Sequence, residues 1–243
     1  MNFTIRKWIV LFLLTFPFLA LAQQKISIDF IVGEQLCYRW LHTGDEDLNT
    51  QIVIDNRNGR EKPAFFPRYG LNFNIRLNDN TWFKTGLRLA REGYLIQKTQ
   101  VQWGSQNNNG VWDPSLPSGE AYDFIKLYRV DEYLEVPLTL RKEFSEKKLT
   151  PYIEGGFSLN YYLASATLEA RGLQITRDRY QSDYIRKFHP AVQLSFGFNH
   201  RLGSQLLLFA QATIRQRITA LGSTPVREFG FNGGLETGLR LYL

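Results

Sequence analysis

The stretch RYGLNFNIRLNDNTWFKTGLRLAREG, Arg68 to Gly93, decides the fold class. Leu71, Phe73, Ile75 and Leu77 alternate with Asn72, Asn74 and Arg76. After the polar Asn78–Thr81 the alternation resumes, with Phe83, Thr85, Leu87 and Leu89 set against Lys84, Gly86, Arg88 and Ala90. Side chains two apart share a face of a strand, so the stretch reads as a β-hairpin with one apolar and one polar face. Two folds accept such a hairpin. In a soluble sandwich the apolar face is the core, whereas in a membrane barrel it meets lipid and the polar face points inward.

The N-terminus favours export. Arg6 and Lys7 precede the apolar run WIVLFLLTFPFLALA, which ends in Ala20-Leu21-Ala22 before Gln23. A charged head, an apolar run and a small-x-small end form the pattern of a secretory signal peptide over residues 1–22, leaving 23–243 as one outer-membrane barrel domain. The run is shorter than the ~20 residues that a membrane-spanning helix needs, and no Cys follows it to carry a lipid anchor. Removing Arg6 and Lys7 lowers the formal charge from +6 to +4. The remaining cations alternate with apolar residues along strands and do not cluster, so nucleic acid is not expected as a partner. The single Cys37 excludes an internal disulfide, although export leads to an oxidising compartment; it is expected to be a small inward-facing residue.

Eight segments carry period-two patterning: Ile26–Leu41, Ala64–Leu77, Trp82–Trp103, Phe124–Lys142, Pro151–Ala166, Ile185–Arg201, Gln205–Arg217 and Phe229–Leu243. Three links, Asn78–Thr81, Ser145–Lys148 and Leu202–Ser204, are tight. The other four, His42–Pro63, Gly104–Asp123, Thr167–Tyr184 and Ile218–Glu228, are longer and polar, and short and long alternate throughout. An even number of strands with short turns at the periplasmic end and long loops at the other describes an outer-membrane barrel. Aromatic residues gather at both ends, with Tyr38, Trp40, Phe65, Phe66, Trp103, Tyr128, Tyr161, Tyr162, Tyr184 and Phe229 near the long links. Trp82, Phe83, Phe144, Tyr152 and Tyr242 lie near the short ones and are expected to form a second girdle at headgroup height. The predicted fold is an all-β, eight-stranded antiparallel up-and-down transmembrane barrel in the outer membrane of a Gram-negative bacterium.

The stretches TGLRLAREGYL, EYLEVPLTLRKEF and PYIEGGFSLNYYL resemble successive strands of the small outer-membrane β-barrel family of Bacteroidota, often labelled PorT-like, an OmpX/OmpA-like eight-stranded barrel. The likeness covers nearly all of the chain after the signal segment. It implies an eight-stranded barrel and, through the family's namesake, a link to type IX secretion.

Catalytic signatures are missing from the sequence. It has no HExxH, CxxC pair, P-loop or GxGxxG after a strand, and no cofactor is expected. His42 is placed in a loop, His189 precedes Pro190, and His200 shares parity with Phe198; His200 and Ser204 straddle a short turn, with no evident carboxylate to orient the imidazole as a triad requires. The acidic Asp45, Glu46 and Asp47 are read as a loop that is solvated or bridged to lipopolysaccharide by divalent cations, with an aspartate-based protease site as the alternative. Strand parity directs Arg76, Lys84, Arg88, Glu92, Glu135, Arg141, Glu154, Arg201, Arg215, Glu236 and Arg240 into the lumen as a charge network. An eight-stranded interior is just wide enough for side chains to fill, and buried charges are tolerated when paired. Arg171, Arg177, Arg179, Arg186 and Lys187, near the outer rim, are candidate lipopolysaccharide contacts through charge-assisted hydrogen bonds to phosphate. The segments on either side of GSQNNNGVWDPSLPSGEAYD exceed the ~9–11 residues needed to span and are expected to project as a ribbon. The expected function is non-enzymatic: an anchor for surface loops that contact lipopolysaccharide or a protein partner. A small-solute pore and a lipid-directed hydrolase are the alternatives.

Overall fold

The computed structural model describes residues 26–43, 48–102, 121–145, 148–171, 174–222 and 224–243. The signal segment, the acidic run 45–47 and the ribbon tip 104–119 lie outside the described residues. In chain order the elements are β1 (Ile26–Thr43), helix α1 (Leu48–Arg60), β2 (Glu61–Lys62), β3 (Ala64–Asn78) and β4 (Thr81–Gln102). They continue with β5 (Ala121–Glu143), β6 (Leu149–Arg171), β7 (Gln174–Tyr180), β8 (Phe188–Arg201), β9 (Leu206–Arg217) and β10 (Val226–Tyr242).

Eight of these strands close into an antiparallel ring. Consecutive ring strands pair with one another, and β1 closes the circle by pairing with β3 on one edge and β10 on the other. Closure leaves the ring without a free edge at membrane height, the condition strands must meet to cross a bilayer. No described helix is long and apolar enough to cross a membrane, so strands do the crossing.

The opening hairpin resolves as a lipid-facing structure. Leu71 and Phe73 are 41% and 44% exposed, while Asn72 and Asn74 are fully buried in the interior. The same alternation runs round the ring. Phe30, Leu87, Leu140, Phe157, Phe196, Ile214 and Leu239 stand outward and exposed on the other seven strands. A continuous apolar belt of this extent is far larger than the patches a soluble monomer exposes. Glu34, exposed between Val32 and Leu36 on β1, interrupts the belt, with Pro67 and Leu235 as its cross-strand neighbours.

Inward glycines make room for this polar core. Tyr152 lies opposite Gly197 with its ring where a Cβ would stand, and Phe209 lies likewise opposite Gly238. Cys37 is buried and inward, packed with Ala64, Phe66, Val130 and Ala166.

Several expectations are corrected. The first long link is not a plain loop, because α1 fills most of it. Ile54 anchors that helix against Leu41 and Val226. The link Thr167–Tyr184 is largely a hairpin, with β6 running to Arg171 and β7 folding back on it. Trp82 and Tyr152 do not join a lipid-facing girdle. They share parity with Lys84 and Glu154 and point inward, 3% and 1% exposed. Trp82 packs on Tyr242 at 6.0 Å between ring centres. Tyr242 packs inward on Ile31, Leu207 and Phe209, and at this end Phe144 faces outward. At the other end Phe66 and Tyr162 are likewise buried, 4% and 1% exposed.

The ring is not of even height. β8 and β9 have 14 and 12 residues, whereas β4, β5 and β6 have 22, 23 and 23, well beyond the ~9–11 needed to span. The excess lies at the long-link end. There β2 adds to β4 at Glu61↔Ile96, and β7 adds to β6 from Ser165↔Tyr180 to Arg171↔Gln174. An open sheet therefore rises from one side of the outer rim.

Candidate functional site, a plugged interior and an uneven outer rim

Thirteen charged side chains are buried among the described residues, seven cations and six carboxylates. They sort into levels along the barrel axis. Nearest the short turns, Arg240 donates through Nε to Asp29 Oδ1 at 2.7 Å and through Nη2 to Oδ2 at 3.2 Å. Asn74 donates to the same carboxylate at 2.8 Å, and Glu143 lies 3.5 Å from Arg240. At the next level Glu154 takes Lys84, Arg141 at 2.9 Å and the Thr139 hydroxyl at 3.0 Å. The Arg141 guanidinium also stacks 3.9 Å from the Tyr152 ring centre.

The centre is a branched network. Arg68 bridges Glu135 and Glu236. Glu135 also takes Arg215, with Arg88 at 3.4 Å. Arg88 in turn donates to Asn72 at 2.8 Å. Gln211 links the levels, accepting from Tyr152 at 2.8 Å and donating to Glu236 at 2.6 Å. Toward the outer end Glu92 receives both Arg215 and Arg217, and Arg217 lies 4.3 Å above the Tyr133 ring. Buried charge is tolerable when it is paired and hydrogen-bonded in this way.

Of the expected lumen residues, Lys84, Arg88, Glu92, Glu135, Arg141, Glu154, Arg215, Glu236 and Arg240 stand inside the barrel. Two do not join them. Arg76 is only partly buried and turns to Asp79 at 3.3 Å in the short β3–β4 turn. Arg201 is exposed at the same mouth. Both have inward parity but lie where the strands end, so water reaches them. With Trp82, Glu143, Lys148 and Tyr242 they line an open cavity of about 440 Å³. The sequence reading missed Asp29, Arg68, Asp131 and Arg217. Parity alone would have found Arg68, two residues before Gly70 on the polar face of the opening stretch.

His189 is corrected too. It lies on β8 with its side chain wholly buried, set edge-on to Tyr133 at 5.8 Å. His42 is the exposed penultimate residue of β1, not part of a loop. Beside the aromatic cluster, Tyr162 and Ser165 share a hydrogen bond of 2.8 Å, and Ser165 donates to Asp131 at 2.6 Å.

At the outer rim, Arg39 bridges Glu61 and Glu228, and Arg57 of α1 reaches the same acids at 3.2 and 2.7 Å. That box fixes the helix to β1 and β10. The five cations singled out near the rim are not equivalent. Arg177 and Arg179 both reach Glu132, each at 2.9 Å. Lys187 donates to Gln181 at 3.2 Å. Arg186 is exposed, and the side chain of Arg171 lies outside the described residues.

A family model described as outer membrane protein beta-barrel domain matches residues 49–241. No curated protein sequence matches the chain. Among solved structures, Neisserial surface protein A is similar at 12% identity, with 89% of this chain and 96% of that one covered and a TM-score of 0.42. The outer membrane protease OmpT from Escherichia coli is 8% identical, with 90% and 97% covered and a TM-score of 0.43. The outer membrane protein OprG from Pseudomonas aeruginosa is 11% identical, with 90% and 96% covered and a TM-score of 0.40.

Proposed function

The chain belongs to the outer membrane protein beta-barrel domain family and resides in the outer membrane of a Gram-negative bacterium, and from that premise we propose that it is a non-enzymatic anchor for outer elements that engage lipopolysaccharide or a protein partner. One observation carries this reading. The lumen is occupied by ion pairs from Asp29 at one end to Glu92 at the other, while β4, β5 and β6 carry an open sheet past the rim. A plugged barrel is a rigid support, and loops on a rigid support are where binding concentrates.

Two features support a protein partner in particular. Among the described residues β7 pairs with β6 alone, so its other edge offers backbone groups for strand addition. Glu34 places a carboxylate in the lipid-facing belt, where ionisable groups usually meet another protein. The PorT-like resemblance supports placing the protein in type IX secretion, after removal of residues 1–22 on export. Against a hydrolase, no carboxylate among the described residues is a hydrogen-bond partner of His42 at the rim or of buried His189, and Ser165 is committed to Asp131 and Tyr162.

The test separates folding from function. The ladder between β4 and β5 continues to Gln102↔Ala121, so replacing residues 104–119 by a tight turn leaves the described pairing intact. The variant should keep the heat-dependent gel mobility of a folded barrel and lose the phenotype of a gene deletion, including any defect in secreted cargo. Full function in the shortened protein, with loss of function in a well-folded lumen variant, would move the activity inside the barrel.

A further inference from the structure

Arg186 and Arg227 frame a cavity of about 490 Å³ on the outer rim, together with Ile218, Ala220 and Phe229. Strand parity places Arg227, and Arg186 stands in the turn just before β8. On β10, Arg227, Phe229 and Phe231 are alternate residues and share the outward face. Trp40 lies opposite Phe229 and is 68% exposed, and Arg227 lies opposite His42, one step further out. On the neighbouring wall Arg186 precedes Phe188 by two residues, and that ring is 69% exposed. Each arginine therefore stands one step beyond the outward aromatics that mark the membrane interface.

The segment between them is held in place. The Arg186 amide donates to Leu221 O at 3.0 Å, the Leu221 amide to Glu228 O at 2.8 Å and the Ile218 amide to Pro190 O at 3.0 Å. Both guanidiniums are exposed, and neither meets a carboxylate among the described residues. In this they differ from Arg177 and Arg179, whose charge Glu132 already takes. Ile218, 52% exposed, and Phe229 give the cavity an apolar wall on the membrane side.

We propose that this cavity is a binding site for a phosphorylated glycolipid of the outer leaflet, with Arg186 and Arg227 clamping a phosphate and an acyl chain lying against Ile218 and Phe229. The inference rests on the reading of the outer rim as a lipopolysaccharide-facing surface and assigns one site within it. Two unpaired guanidiniums match phosphate oxygens in bidentate geometry, and a lysine would supply charge without that fork. The apolar wall directly below selects a phosphate that carries a lipid over a free one.

The experiment uses the full barrel in detergent, with lipid A carrying its phosphates and dephosphorylated lipid A as probes, and counts bound lipid by native mass spectrometry. The wild-type protein should retain the phosphorylated form at least about tenfold better. Arg186→Gln/Arg227→Gln should lose that preference while keeping heat-dependent mobility. The two single variants, each a change at an exposed residue, give the same readout if the double variant is recovered poorly. An undiminished preference in the double variant would overturn the site. If Arg177→Gln/Arg179→Gln abolished it instead, the rim would still face lipopolysaccharide but at a different place. Equal retention of both probes by wild type would overturn the site and the lipid-facing reading together.

Discussion

Glu135→Gln is expected to destabilise the folded barrel by about 3–5 kcal/mol, the cost of leaving buried charges without their counter-ion. Glu135 is fully buried and takes Arg68 and Arg215, with Arg88 at 3.4 Å. Its removal leaves three guanidiniums around an amide that can accept a hydrogen bond but carries no charge. Arg68 and Arg215 keep second partners in Glu236 and Glu92, which holds the loss within that range. The check is a urea titration of the protein folded in vesicles, read by the heat-dependent gel shift. Asp178→Asn, exposed on β7, should move the midpoint little, within about 0.5 kcal/mol. A Glu135 variant as stable as wild type would mean that the central network contributes nothing to holding the ring.

The second large effect lies on the opposite face. Leu71→Arg should cost about 2–4 kcal/mol, because a cation on the lipid face near the bilayer midplane has no partner. Leu71 is exposed and sits between Phe30 and Leu87 on its neighbouring strands, with no acid beside it. Leu71→Ala separates this reading from a soluble core. A core leucine cut to alanine leaves a cavity and costs ~2–5 kcal/mol. Lipid chains flow into the space left here, so the alanine variant should lose only the transfer of its three carbons, about 2 kcal/mol at ~0.8 each, with no cavity added to it. An alanine loss near the upper end of the core range, or an arginine variant as stable as wild type, would contradict the assignment of faces.

That assignment was legible in the sequence because period-two alternation reports a face directly. The eight ring strands, the alternation of short and long links and the direction of most lumen charges followed from it. Which charges pair was legible only in part. Asp29 with Arg240, Arg88 with Glu135, and Arg141 with Glu154 are direct cross-strand neighbours. The bonds of Arg68 to Glu236, Lys84 to Glu154 and Arg215 to Glu92 join strands that are not adjacent in the ring. These depend on closure and on the level each residue reaches, which parity does not give.

The misses have similar causes. Trp82 and Tyr152 were placed by height without regard to face. Helix α1, LNTQIVIDNRNGR, has no strong helix pattern and includes the β-branched run Ile52-Val53-Ile54, which lowers its helix propensity. It is held by Ile54 on Leu41 and Val226 and by Arg57 on Glu61 and Glu228. Strand β7, QITRDRY, is exposed on both faces, so no apolar alternation marks it. Arg227 escaped notice as a rim cation because it sat in a segment read as a plain loop.

A packed polar interior leaves the outer surface as the place from which we propose the protein acts. Single-channel recording in planar lipid bilayers tests it most directly. With insertion of the folded protein verified by its heat-dependent mobility, wild type should give no stepwise conductance, since ion pairs from Asp29 to Arg217 occupy the path. Reproducible open-channel steps from verified wild-type protein would contradict the account and make transport its function.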